Sequence, residues 1–132
     1  MIADLERATH LVAVHIERAA GDLGVTQAEA HVLAQLAKRG PLGVSVLHRE
    51  FGHKRSTLTS VLDRLEGRGL VRRSLNPDDR RSFLIQPTAA GTRAGKRVAR
   101  VLDDLERDVL RLVDERDFAG VAAVAAALAK TV

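Results

Sequence analysis

The sequence contains no cysteine. That absence removes thiol catalysis, disulfide scaffolding, cysteine zinc sites and thiol-based redox sensing together. Aromatic residues amount to 2%, namely Phe51, Phe83 and Phe118, and Trp and Tyr are missing. Platforms that stack sugars or unpaired bases on aromatic rings are therefore not expected. No apolar run approaches the roughly 18 residues that span a bilayer, and the N-terminus shows no signal-peptide pattern. The expectation is a cytoplasmic protein without membrane contact. What the chain does have is 45% hydrophobic residues in a length of 132, enough for one domain whose core needs neither disulfide nor metal.

Charge is unevenly spread. Residues 48–97 carry 12 Lys/Arg against 5 Asp/Glu, a local excess of seven positive charges. The remainder carries 9 against 12, an excess of three negative charges within a net +4. Such asymmetry points to a polyanion facing one contiguous stretch.

Periodicity predicts helices separated by one hairpin. From Ile2 to about Ala20, Leu5, Ala8, Val12, Ile16 and Ala19 recur at helical spacing, and Leu11 and Val14 widen the apolar surface. A helix apolar on more than one side must bury both, one of them against a partner chain. Thr26 and Glu29 form a capping box before a second helix with Val32, Leu33, Leu36 and Ala37 inward. A short helix, about Ser45 to Phe51, follows. In the next, about Arg55 to Arg68, Leu58, Val61, Leu62 and Leu65 face the core, leaving Ser56, Thr57, Ser60 and Arg64 outside and Lys54 and Arg55 at the N-terminal end. Leu70–Leu75 and Ser82–Gln86 read as strands around the turn residues Asn76-Pro77-Asp78-Asp79. Thr88 opens a long helix with Val98, Val101, Leu102, Leu105, Val109 and Leu112 as its stripe; a last one, about Glu115 to Lys130, has Asp114 as N-cap and Asp117 at the box position.

The fold class expected is mainly α with a small β-hairpin wing: a winged helix-turn-helix flanked by N- and C-terminal helices. Its chemistry follows from groove shape. A major groove roughly 12 Å wide admits one helix, and small hydroxylated side chains let that helix sit deep. Arginines and lysines around it neutralise phosphates, and a hairpin alongside can send an arginine into the narrow minor groove.

Val25 through Gly95 resembles the MarR family of dimeric bacterial transcription regulators. The run from Ser56 through Leu58, Asp63-Arg64-Leu65-Glu66 and Gly69 to Arg73 is similar to that family's recognition helix and first wing strand. Asn76-Pro77-Asp78-Asp79-Arg80-Arg81, with Thr88-Ala89-Ala90-Gly91 after it, is similar to its wing signature. The resemblance implies that Asp79 steadies Arg81 for the minor groove, with Arg80 at the tip. It also implies that the N- and C-terminal helices are dimerisation helices, residues 1–22 and 88–132 forming a homodimer interface around a winged module at 26–87. The partner implied is a pseudo-palindromic double-stranded DNA operator, contacted by Lys54, Arg55, Ser56, Thr57, Ser60, Arg64, Arg80 and Arg81, and the role a repressor. A small, usually aromatic, anionic effector is common in the family, although few aromatics are available here to line its crevice. Three positions depart from the pattern: Pro87 stands in place of leucine, while Lys54 and Gly43 stand where a capping hydroxyl is usual.

Other readings have less support. Arg72 and Arg73 flank a strand and suit phosphate or solvent better than bases; Asp63 suits a neighbouring arginine. Of His10, His15, His31, His48 and His53, no two are spaced i, i+4 on a helix, and His10 and His15 lie about 140° apart around it. No metal site and no cofactor are expected; proton sensing by a histidine is kept open. No enzymatic constellation of nucleophile, acid–base pair or metal ligands is evident. A winged helix used for protein contacts, with only non-specific DNA binding, is the alternative, but it calls for an outer helix face without the basic residues found here.

Overall fold

The computed structural model describes residues 1–52 and 54–131. Contacts divide the chain into one unit at Met1–Leu102 and another at Asp103–Val132, within the long penultimate helix. The order is α1 (Ile2–Ala20), a 3-10 turn (Gly21–Leu23), α2 (Gln27–Arg39), β1 (Leu42–Gly43), α3 (Val44–Phe51), α4 (Arg55–Gly67), β2 (Val71–Leu75), β3 (Phe83–Pro87), α5 (Ala89–Leu110) and α6 (Glu115–Ala129).

Both expected capping boxes are present. Thr26 Oγ1 accepts the Glu29 N–H at 3.2 Å, and Glu29 Oε2 accepts the Thr26 N–H at 3.2 Å. At α6, Asp114 Oδ1 accepts the Arg116 N–H and Asp117 Oδ2 the Asp114 N–H, both at 3.1 Å. Gly43 and Lys54, which lack capping side chains, do start α3 and α4 without one.

The hairpin is antiparallel and in register from Val71↔Pro87 to Leu75↔Phe83. A third strand was not visible in the sequence: β1 pairs Leu42 with Ile85 and Gly43 with Leu84, making β3 central. Two residues show no alternation, so only the long-range pairing defines this strand. Pro87, at the last ladder position of β3, removes no interior donor from the sheet.

The winged module closes over one apolar cluster. Val32, Leu33 and Leu36 of α2 meet Leu47 of α3, Leu58, Val61, Leu62 and Leu65 of α4, and Val71 and Ile85 of the sheet. A second cluster joins Ile16 and Ala20 of α1, Ala30 and Ala34 of α2, and Val98 and Ala99 of α5. The helix α2 is therefore buried on two sides, and the alanine side is not legible in the sequence because small residues weaken a hydrophobic stripe. The stripe expected on α1 also needs correction. Ala20 is buried while Ala8 and Ala19 are exposed; in the stripe expected on α5, Val109 is exposed and Leu112 lies beyond the helix at 84% exposure. No residue of α6 is buried.

The junction between sheet and α5 is tightly anchored. The Thr88 N–H donates to the Leu70 carbonyl at 3.1 Å, its hydroxyl donates to the Gly69 carbonyl at 2.7 Å, and the same oxygen accepts the Gly91 N–H at 3.0 Å.

Candidate nucleic-acid interface

The helix α4 turns its four large apolar residues inward and leaves Arg55, Ser56, Thr57, Thr59 and Ser60 exposed. Lys54 at its N-cap supplies no acceptor. The positive end of the helix dipole and the unsatisfied first-turn N–H groups therefore face outward beside Lys54 and Arg55, which favours an anion. The Ser60 hydroxyl donates to the Ser56 carbonyl at 3.0 Å, so its oxygen remains an acceptor towards solvent.

The wing tip is held by its own short-range bonds. Asn76 Oδ1 accepts the Asp78 N–H, and Asp79 Oδ1 accepts the Arg81 N–H, each at 3.0 Å. The Asn76 N–H donates to the Ser82 carbonyl, closing the loop at 3.0 Å. Asp79 thus engages Arg81 through its backbone, fixing where that residue leaves the loop. Arg80 and Arg81 are both exposed.

Tertiary structure brings two expected contact residues together. Arg55 of α4 and Arg81 of the wing line one cleft of about 380 Å³, with Ser45 and His48 of α3, Thr59, and the apolar Val44 and Phe83 among its other walls. In the sequence His48 figures only among the other histidines, and nothing there places it, Ser45 or Thr59 beside the wing, since α3, α4 and the wing are separated along the chain and carry no shared local signal. His53, one of the five histidines considered for metal binding or proton sensing, lies outside the described residues. His31 packs edge-on against Phe51, with ring centroids 6.4 Å apart.

Other members of the basic block are engaged within the fold. Arg64 Nε donates to Glu29 Oε1 at 2.6 Å. Arg73, expected to meet phosphate or solvent, instead donates to Asp63 at 2.6 Å and lies 3.9 Å from Glu66, linking β2 to α4. Arg68 donates to the Leu23 carbonyl at 2.5 Å and the Gly24 carbonyl at 2.9 Å. Arg97 grips Asp22 with both Nη groups, at 2.7 and 2.6 Å, and the Ala19 carbonyl at 2.7 Å. The Arg97 hydrogen bond holds the Asp22 carboxyl below its ordinary range, helped by the guanidinium charge. Arg55, Arg80 and Arg81, at the N-terminal end of α4 and the wing tip, stay exposed, as do Arg49, Arg72, Arg93 and Lys96 elsewhere in the basic block.

The model of the MarR family matches residues 25–83. An uncharacterised HTH-type transcriptional regulator, YcgE of Bacillus subtilis, is 31% identical over 109 residues, 83% of this chain and 70% of that protein. The HTH-type transcriptional regulator PecS of Dickeya dadantii is 32% identical over 120 residues, 89% of this chain and 72% of that protein. In fold, the chain is similar to S. aureus MepR solved in complex with DNA: TM-score 0.78 at 17% identity, covering 100% of this chain and 98% of that one. With its winged-helix fold and its likeness to these HTH-type transcriptional regulators, the chain belongs to the MarR family.

Proposed function

We propose that the chain acts as a homodimeric, sequence-specific double-stranded DNA-binding repressor whose grip on a pseudo-palindromic operator responds to a small ligand or to protonation. The observation that carries this reading is the cleft shared by Arg55 of α4 and Arg81 of the wing. It puts the recognition helix and the hairpin on one cationic surface, with hydroxyls from Ser56, Thr57 and Ser60 beside it. In this reading Lys54 to Ser60 enter a major groove, Arg64 flanks it, and Arg80 and Arg81 reach the adjacent minor groove, the tip steadied by Asp79. MepR, similar in fold, was solved on DNA.

Exposed apolar surface supports the dimer. Leu112 is 84% exposed and Val121 58%, and Ile2 and Leu11 of α1 are also open. Residues 1–22 and 88–132 would bury such surface in a two-fold partner, setting half-sites about one helical turn, ~34–36 Å, apart. For the effector, a separate cleft of about 380 Å³ has Leu23, Val25 and Leu70 as apolar lining and Arg68, Arg93 and Arg97 around it. That combination suits a small amphipathic anion, and Arg68 and Arg97 are the two side chains that hold the turn between α1 and α2.

Gel-shift titration against the intergenic DNA upstream of the protein's own gene, across a salt series and beside a random-site selection, tests the reading. Salt-dependent, sequence-selective duplex binding is expected. Absence of salt-dependent binding in both assays would overturn it in favour of a protein-interaction module.

A further inference from the structure

Among the described residues, Glu29 is the buried charged group, at 3% exposure. Its capping role occupies one oxygen, Oε2, which accepts the Thr26 N–H. A capping box needs nothing more, and glutamine serves it as well. Burying a carboxylate is costly unless it is paired and hydrogen-bonded. Here the pairing is Oε1 with Arg64 Nε at 2.6 Å, across 35 residues of sequence.

The geometry of that pair matters. It uses the Nε donor, yet the Arg64 side chain remains 53% exposed while that of Glu29 is 4% exposed. A guanidinium carries five N–H donors in a rigid plane, so the Nε bond leaves the Nη groups able to bind an anion while fixing the plane itself. Arg64 lies seven residues after Thr57, almost the same bearing around α4, on the flank between the core stripe and the outermost residues. A side chain on that flank meets the phosphate backbone bordering a groove before it meets base edges.

Resting on the DNA-binding reading, we propose that Glu29 is a positioning residue that holds Arg64 by Nε so that its outer edge contacts a backbone phosphate. Preorganising one long side chain in this way changes affinity by roughly 3- to 10-fold.

The test uses the full chain and a duplex recovered from random-site selection, read by fluorescence anisotropy over a salt series. Glu29→Gln keeps the capping oxygen and removes the charge; it is expected to weaken binding by roughly 3- to 10-fold. Arg64→Ala is expected to weaken binding and lower the magnitude of the salt slope by about one, since one phosphate contact is lost. Arg64→Lys, which keeps the charge but loses the planar fork, should weaken binding with the slope retained. Adding Glu29→Gln to Arg64→Ala should cause no further loss. A purely structural pair would leave the Arg64→Ala slope at the wild-type value. That result, or an equal effect of Glu29→Gln in both backgrounds, overturns the proposal while the DNA reading stands. Wild-type protein without salt-dependent duplex binding overturns both.

Discussion

Replacing glycine by alanine inside a helix ordinarily stabilises it by up to about 1 kcal/mol. In α5 the sign should reverse. An ideal Cβ on Gly91 would stand 2.9 Å from the Leu70 carbonyl carbon and closer still to its oxygen. That oxygen accepts the Thr88 N–H, one of the bonds fastening α5 to the sheet. The obstacle is backbone, so no rotamer change relieves it. The helix would have to back away and strain or break the Thr88 bonds to Leu70 and Gly69. Overpacking costs typically about 1–3 kcal/mol, and each lost hydrogen bond about 0.5–1.5. Against a propensity gain of about 1 kcal/mol, the net destabilisation by Gly91→Ala is about 3 kcal/mol. For a chain of this size that lowers Tm by roughly 10 °C. Gly95→Ala should behave alike, because its Cβ would fall 2.8 Å from both the Leu33 carbonyl carbon and Ala37 Cβ. Gly67→Ala is the control: a Cβ there meets nothing within 4 Å, so Tm should hold or rise. Thermal unfolding followed by far-UV circular dichroism compares the three. If Gly91→Ala and Gly95→Ala melt at or above the wild-type temperature, the close approach of α5 to the sheet and α2 is wrong.

Other expectations concern the interface and its supports. Arg81→Ala should weaken binding to most duplexes and reduce the salt slope by about one unit, measured by anisotropy, since it removes a groove or phosphate cation. An unchanged slope would refute the wing assignment. Ser60→Ala should shift sequence preference by about 1–3 kcal/mol at one or two operator positions. Because Ser60 donates its hydrogen to Ser56, the bases affected should be those that present amino donors, and selection-based binding profiles would show this. Uniform weakening would make Ser60 a phosphate contact. Asp22, held below its ordinary value of 3.8 by Arg97, contributes stability that is present above that pH and fades as pH falls through its lowered folded value. Asp22→Asn should therefore melt lower than wild type at neutral pH and converge with it in acid. A Tm difference that persists below that range would contradict the pairing.

Much of the fold was legible because the signals were local. The capping boxes at Thr26 and Asp114 depend on residues three apart, and the α4 stripe depends on i, i+3 and i+4 spacing. The hairpin turn announced itself through Asn76-Pro77-Asp78-Asp79, and the same short-range chemistry fixes the exit of Arg81. Elsewhere the signal in the sequence is weak or distant. Ala30 and Ala34 bury a second face of α2 that such small side chains do not advertise, and Ala20 takes the place expected for Ala19. The strand β1 exists only because β3 lies beside it.

By itself, the sequence determined the helices and their caps, the hairpin, the family resemblance and the concentration of positive charge between residues 48 and 97. All of these rest on contacts within one or two turns, or on composition. Tertiary structure alone decided which of those charges are held by a partner. Arg64 reaches Glu29 across 35 residues, Arg68 the Gly24 carbonyl across 44, and Arg97 Asp22 across 75. Arg73 is likewise held by Asp63, while Arg55 and Arg81 come to share one cleft. An ion pair forms where chain closure brings two groups within a few ångströms, and no local pattern encodes that distance. The fold thus ties part of a basic run to fixed partners and leaves Arg55, Arg80 and Arg81 exposed at one end of α4 and the tip of the wing.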